Sequence, residues 1–209
     1  REAGELAREL ETVMHVHMAE DRADVEDARK RGYEGPLERL LANDALPSGS
    51  IMAHGVHLNP SQVRMAEARG LWLVQNPRSN EGNKVGYASS LWVSDKVALG
   101  TDGWEADMPK EAAALTRLSA DGIPEEVESA AKRPANGRTL VAERFADAPA
   151  GTGPGTDVVT LGEAGKVERV VVAGQVVVDG GKLVHADIEE LRAKAREEAP
   201  KLWQRMAAL

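Results

Sequence analysis

Short apolar runs alternate with longer amphipathic stretches through the first hundred residues, and each run ends in a polar cluster. In residues 12–18, Val and Met alternate with His. That alternation predicts a strand with His15 and His17 on one face. Residues 50–53, 71–75 and 97–100 are three further short apolar runs. Between them lie helical patterns. Residues 5–11 read as the end of a helix. Residues 21–31 carry Val25 and Ala28 on one face and stop at Gly32. Residues 36–42 place Leu37, Leu40 and Leu41 together. Asn59-Pro60-Ser61-Gln62 is a helix start, with Asn at the N-cap, Pro at the first helical position and Gln closing a capping box. That helix carries Val63 and Ala66 and ends at Gly70. Residues 76–80 read as a polar loop, and residues 91–94 as the end of another helix. Repeated strand, polar cluster, loop and helix imply a parallel sheet in an α/β fold.

The pattern changes after Pro109. Residues 110–119 and 124–132 are helical, and residues 146–155, rich in Ala, Gly and Pro, read as a linker. Strands are expected over residues 157–161, 167–173, 175–179 and 182–184, with Ala173-Gly174 and Gly180-Gly181 as turns. Asp187 caps a final helix with the apolar stripe Ile188, Leu191, Ala195, Leu202 and Met206. Pro200 should kink or interrupt it.

Composition narrows the chemistry. Among 209 residues, aromatics are 3% and the net charge is −8, with no basic block. That balance argues against nucleic acid and anionic membranes as partners. No apolar run approaches the ~18 residues that span a bilayer. There is no cysteine, so any metal must be held by His and carboxylate.

The ends of the four runs carry the candidate chemistry: His17 with Glu20, then His54, Asn76 and Asp102. Four of the five histidines fall in two short motifs. Asp102 sits in Thr101-Asp102-Gly103, where Asp-Gly is also an ordinary turn pair. In a barrel of parallel strands, functional side chains gather at the strands' C-terminal ends. A divalent metal held by imidazole and carboxylate lowers the pKa of a bound water from about 15.7 to about 7. Glu20 can serve as the acid that protonates a departing nitrogen, and Asp102 can take a proton from water.

His17-Met18-Ala19-Glu20, Ala53-His54-Gly55-Val56-His57-Leu58, Asn76-Pro77-Arg78-Ser79-Asn80 and Gly100-Thr101-Asp102-Gly103 occur in that order. Together they resemble the C-terminal half of the amidohydrolase superfamily, in its cytosine/adenosine deaminase and chlorohydrolase branch. Residues 83–88 and the tail from Val167 to Met206 look most like the SsnA-type aminohydrolases. The resemblance implies the C-terminal half of a TIM-type (β/α)8 metal-dependent hydrolase barrel. Residues 1–145 would be a partial barrel holding strands five to eight. Residues 156–186 would be part of a composite β-sandwich, and residues 187–209 a C-terminal helix. By the same comparison His17 and Asp102 would hold one divalent metal ion, zinc or iron. Glu20 would be the general acid/base, His54 would orient the water, and Asn76, Arg78, Asn80 and His57 would contact substrate. The resemblance implies a cytoplasmic enzyme acting on a small cyclic or heterocyclic molecule at a non-peptide C–N bond, with an N-terminal half needed to complete barrel and sandwich, and possible homo-oligomers.

The family's strand-one His-x-His pair is absent. His15-Val16-His17 has its spacing, but Met18-Ala19-Glu20 follows it and three further motifs match in order, which places it on strand five. The loop that in the family opens with His before Asn-Pro has Gln75 here. Two alternatives stand beside deamination: expulsion of chloride from a triazine-like ring by the same water, and a non-catalytic assembly or binding module. Bland roles are expected elsewhere: His15 in the core below the metal, His57 in the pocket or just behind it, His185 at the surface, Trp72 and Trp92 in the core. Arg78 either clamps a substrate group or pairs with an acid.

Overall fold

A computed structural model describes residues 1–144, 158–161 and 167–208. The chain divides into two compact units, residues 1–144 and 145–209. The first opens with α1 (Glu2–Glu9) and continues as β1 (His15–Met18), α2 (Arg22–Lys30), α3 (Pro36–Ala42), β2 (Ile51–His54), α4 (Pro60–Ala68), β3 (Trp72–Gln75), α5 (Pro77–Gly82), β4 (Val97–Leu99), α6 (Met108–Ser119) and α7 (Pro124–Arg144). The four strands form one parallel sheet in chain order. This is the βα alternation that the apolar runs imply.

Helix starts follow the side chains. Asp21 accepts from Ala23 and forms a capping box with Asp24, and Asn59 forms one with Gln62. Met18, Met52, Leu73 and Val97 join Leu37, Val63, Ala66 and Leu91 in the core between sheet and helices. The opposite face of β1 carries His15 and His17, both exposed. In this chain His15 is exposed, because helices cover only the other side of this strand.

Three elements depart from the sequence pattern. Residues 76–80 are not a loop: Pro77 takes the first position of α5. Residues 91–94 give only a 3-10 turn, Leu91–Val93. The helix expected to stop at Lys132 continues through Pro134 to Arg144. Proline removes one helical hydrogen bond, and side-chain anchors on both sides of it offset that loss. Arg133, fully buried, donates to Gln75 Oε1 at the end of β3 and to Glu126 Oε2 at 2.9 Å. Tyr87 donates to the other Glu126 oxygen, and burial pushes its phenol up to about 12. Asn136 Nδ2 donates to Val97 O at 2.9 Å and to Asp95 O at 3.2 Å. The Lys96 carbonyl accepts from Leu73 on β3. Successive carbonyls alternate sides, so that of Val97 faces the outer edge of β4, where Asn136 caps it. Trp72 is buried as expected, with Nε1 donating to Glu143 at 2.9 Å, whereas Trp92 is only half-buried.

The second unit holds β5 (Val158–Leu161), β6 (Val167–Val172), β7 (Gln175–Asp179) and β8 (Lys182–Leu183), an antiparallel meander, followed by α8 (Ile188–Ala207). Both expected turns have consecutive residues at positive φ, 49° and 76° at Ala173-Gly174, 54° and 73° at Gly180-Gly181, which matches the twist of paired strands. Asp187 caps α8 through the N–H groups of Glu189 and Glu190, and the helix passes through Pro200 without interruption. His185 is exposed. The expected linker at 146–155 lies outside the described residues. Among the described residues, no helix is long and apolar enough to cross a membrane.

Candidate active site

The register brings the strand ends to one level. Met18 lies opposite His54, Ala53 opposite Val74, and Gln75 opposite Leu99. The segments bearing Glu20, Asn76 and Asp102 therefore leave the sheet side by side, with His54 as the last residue of β2. Strict alternation would put His54 on the helix-facing side with Met52. Its φ of 75° breaks the alternation, and the ring comes within 5.0 Å of the His17 ring, edge to face at 81°. Ala19 and Asp102 are left-handed as well, with φ of 47° and 54°. Such a conformation costs a non-glycine residue about 1–2 kcal/mol. Three such residues at three strand ends are strain concentrated where chemistry-bearing side chains meet.

His54 is fully buried. Nδ1 lies 2.8 Å from Asn80 Oδ1 and 3.4 Å from Asn76 Nδ2. The shorter contact assigns the proton to Nδ1, donated to Asn80, and leaves Nε2 as a lone pair. That Nε2 has no hydrogen-bond partner. It stands 3.4 Å from Glu20 Oε2 and 3.9 Å from Asp102 Oδ2. Glu20 Oε2 is also 3.8 Å from His17 Nδ1, while Glu20 Oε1 accepts from Asn83 Nδ2 at 3.1 Å. Ser79 Oγ donates to Asp102 Oδ2 at 2.5 Å. That hydrogen bond holds the Asp102 carboxyl below the usual carboxylate range, aided by the Gly103 N–H and the two imidazoles, against a smaller effect of burial.

Of the residues singled out from the sequence, His17, Glu20, His54 and Asp102 converge. Asn76 and Asn80 are buried at the Nδ1 side of the His54 ring rather than free in an open pocket. Arg78 turns to Glu111, with Nη1 3.3 Å from Oε1, and to the Glu105 carbonyl at 3.2 Å, while its guanidinium lies 5.8 Å from the Trp104 ring. Burial pushes the Glu111 carboxyl up, and Arg78 opposes that shift. His57 is half-buried, and its backbone N–H donates to Ala19 O at 2.9 Å. Ser79 was expected only as part of a pocket-lining loop at residues 76–80, and Asn83 had no assigned role in the sequence. Their signal was the spacing 79, 80, 83, which becomes one helix face only once the segment is known to be helical.

His17, Glu20 and His54 each offer one ligand atom, all within 4.8 Å of one another. With Asp102 beside them, the donors are two imidazoles and two carboxylates. That nitrogen-and-oxygen set, with a buried, unpartnered His54 Nε2 among it, fits a divalent ion of the zinc type.

Residues 1–177 match the model of the amidohydrolase family. The chain belongs to that family. A 5-methylthioadenosine/S-adenosylhomocysteine deaminase from Haloquadratum walsbyi is 31% identical over 189 residues, covering 86% of this chain and 39% of the relative. An adenosine deaminase from Xanthomonas campestris with bound zinc superimposes with a TM-score of 0.75 at 23% identity, over 96% of this chain and 53% of that one. An atrazine chlorohydrolase from Arthrobacter aurescens TC1, also with zinc, gives 0.64 at 19% identity, over 93% and 50%. This amidohydrolase chain thus spans about half, or less, of the length of the proteins it matches, and its fold is that of the corresponding part of theirs.

Proposed function

We propose that this chain is the C-terminal part of a metal-dependent hydrolase that deaminates a purine nucleoside or a similar heterocycle. The observation that carries this is the meeting of Glu20 Oε2 with the buried, unpartnered Nε2 of His54 at 3.4 Å, beside Asp102, at aligned strand ends. His17 and Asp102 would hold one divalent ion, together with ligands from a preceding half-barrel. Zinc is favoured over iron because both superimposed enzymes carry it. When bound, the ion supplies a water acidic enough to act at neutral pH.

The chain's own residues supply the proton handling and the orientation. Asn83 holds one oxygen of Glu20 and leaves the other facing the site, so that Glu20 can give a proton to a leaving nitrogen and take one back. Asp102, kept ionised by Ser79, accepts a proton from water. His54, with its proton committed to Asn80, offers Nε2 as an acceptor that orients that water. Arg78 is paired with Glu111, and its guanidinium lies over the Trp104 ring. Deamination is preferred over dehalogenation because the curated relatives are deaminases of 5′-deoxyadenosine and of 5-methylthioadenosine or S-adenosylhomocysteine.

The test is ammonia release from 5′-deoxyadenosine and 5-methylthioadenosine by the whole zinc-loaded protein, wild type and Glu20→Gln. Glu20→Gln should lose roughly 10²–10⁴ in rate with metal per chain unchanged, whereas His17→Ala should lose metal. Chloride release from atrazine without ammonia release would favour the chlorohydrolase alternative. Loss of metal in Glu20→Gln would make Glu20 a ligand and overturn its role as acid.

A further inference from the structure

We propose that α5 with its C-cap residue Asn83 is the positioning element of the site: one face fixes three separate groups, with Asn80 selecting the tautomer of His54, Ser79 orienting the Asp102 carboxylate and Asn83 orienting that of Glu20. The proposal rests on Glu20, His54 and Asp102 being the reacting groups.

Positions 79, 80 and 83 are related as i, i+1 and i+4. At 3.6 residues per turn they fall within an arc of about 100°. Each side chain spends its polar atom on a different element: Ser79 on the loop after β4, Asn80 on the end of β2, Asn83 on the loop after β1. Ser79 and Asn80 are 1% and 2% exposed. Burying such groups costs free energy unless they are bonded. A serine inside a helix ordinarily satisfies itself on a carbonyl one turn back. Ser79 reaches across to Asp102 instead.

The pattern of contacts is selective. Asn83 takes Oε1 of Glu20 and leaves Oε2 facing His54. Asn80 takes Nδ1 of His54 and leaves Nε2 facing both carboxylates. Asn83 Nδ2 also lies 3.4 Å from Ser79 Oγ, so the contacts to Glu20 and Asp102 are joined on the helix itself. The backbone reinforces the placement. Asn80 N–H donates to Asn76 O at 2.9 Å and Asn83 N–H to Ser79 O at 2.8 Å, which ties the face to the end of β3. A shift of α5 would therefore move all three groups together. Misplacement of about 1 Å in an active site costs on the order of 10²-fold in rate.

The test uses the whole protein, stripped of metal and without substrate. Imidazole ¹⁵N spectra are recorded at neutral pH, and His54 is assigned by the signals missing in His54→Gln. Wild-type His54 should show the Nδ1–H tautomer. Asn80→Leu should shift it to the Nε2–H form or a mixture. Asn80→Asp, which keeps the acceptor, should retain Nδ1–H. Carboxyl ¹³C signals follow the other two contacts: Ser79→Ala should move the Asp102 signal and Ser79→Thr restore it, and Asn83→Ala should move that of Glu20. An Nε2–H tautomer in wild type overturns the proposal even if every variant misfolds, as does an unchanged tautomer in Asn80→Leu. Because these spectra need no turnover, they can fail while ammonia release succeeds, and the reverse.

Discussion

Replacing Arg133 by Met tests whether the buried polar cluster fastens α7 to the sheet. Arg133 is 0% exposed and Glu126 2%. The guanidinium donates to Gln75 Oε1, to Glu126 Oε2 at 2.9 Å and to Ser129 Oγ at 3.2 Å. Without it, Glu126 keeps only the Tyr87 hydroxyl, and Gln75 Oε1 loses its donor. Removing one member of a buried ion pair costs about 3–5 kcal/mol, since the other charge stays buried. The orphaned Gln75 oxygen would cost about 1–3 kcal/mol alone, but both losses follow from one group and do not add. A loss of about 3–5 kcal/mol is thus expected, against a typical net stability of about 5–15 kcal/mol. The double variant Arg133→Met/Glu126→Gln removes the stranded charge and should recover at least half of that loss. Urea unfolding at low protein concentration would read it by tryptophan fluorescence, because Trp72 is bonded to Glu143 of the same helix. A loss under about 1 kcal/mol for Arg133→Met, or a double variant no better than the single, would refute the reasoning.

Gly4→Ala should destabilise although Ala is the better helix former by about 1 kcal/mol. The added carbon would overlap the Asp44 carbonyl and lie 2.9 Å from Ala45 Cα, and a higher urea midpoint would contradict this. Asp102 titrates below its ordinary 3.8, so its contribution is present above that value and is lost as pH falls through the lower, folded-state value. Ser79→Ala should make the acid-side loss of stability shallower, and superimposable pH–stability curves would refute that. If only His17 and Asp102 of the four clustered donors bind the ion, as proposed, the 209-residue chain alone should hold zinc weakly, because catalytic sites use three protein ligands. Stoichiometric zinc after exhaustive dialysis would show that the ligand set is wrong. The chain should also bind apolar dyes and self-associate through its open sheet edge, and a monodisperse monomer at high concentration in sedimentation would count against it.

The strands and their order were legible because each apolar run is short, β-branched or Met-rich, and closed by a polar cluster. The convergence of His17, Glu20, His54 and Asp102 followed from order alone: a parallel sheet in chain order aligns its C-terminal ends. The helical state of α5 was hidden, because Pro-Arg-Ser-Asn carries no apolar periodicity and its stabilising contacts are made across the sheet by Ser79, Asn80 and Asn83. The continuation of α7 was hidden for a related reason. Arg133-Pro134 reads as a stop, and only the buried contacts of Arg133 and Asn136 with β3 and β4 outweigh the lost hydrogen bond. Alternation told that His15 and His17 share a face, but not whether that face is covered.

The amide of Asn136 on the outer carbonyl of Val97 makes the two rims of the sheet unequal. At β1, β2 is the one strand neighbour among the described residues, and His15 and His17 are exposed. At β4, an acceptor is occupied and Val97 and Ala98 are already buried. A strand added beside β1 would meet no strand already paired there among the described residues. Beside β4 it must trade places with a side chain. The asparagine thus fills a main-chain acceptor at the β4 rim that a neighbouring strand would otherwise use.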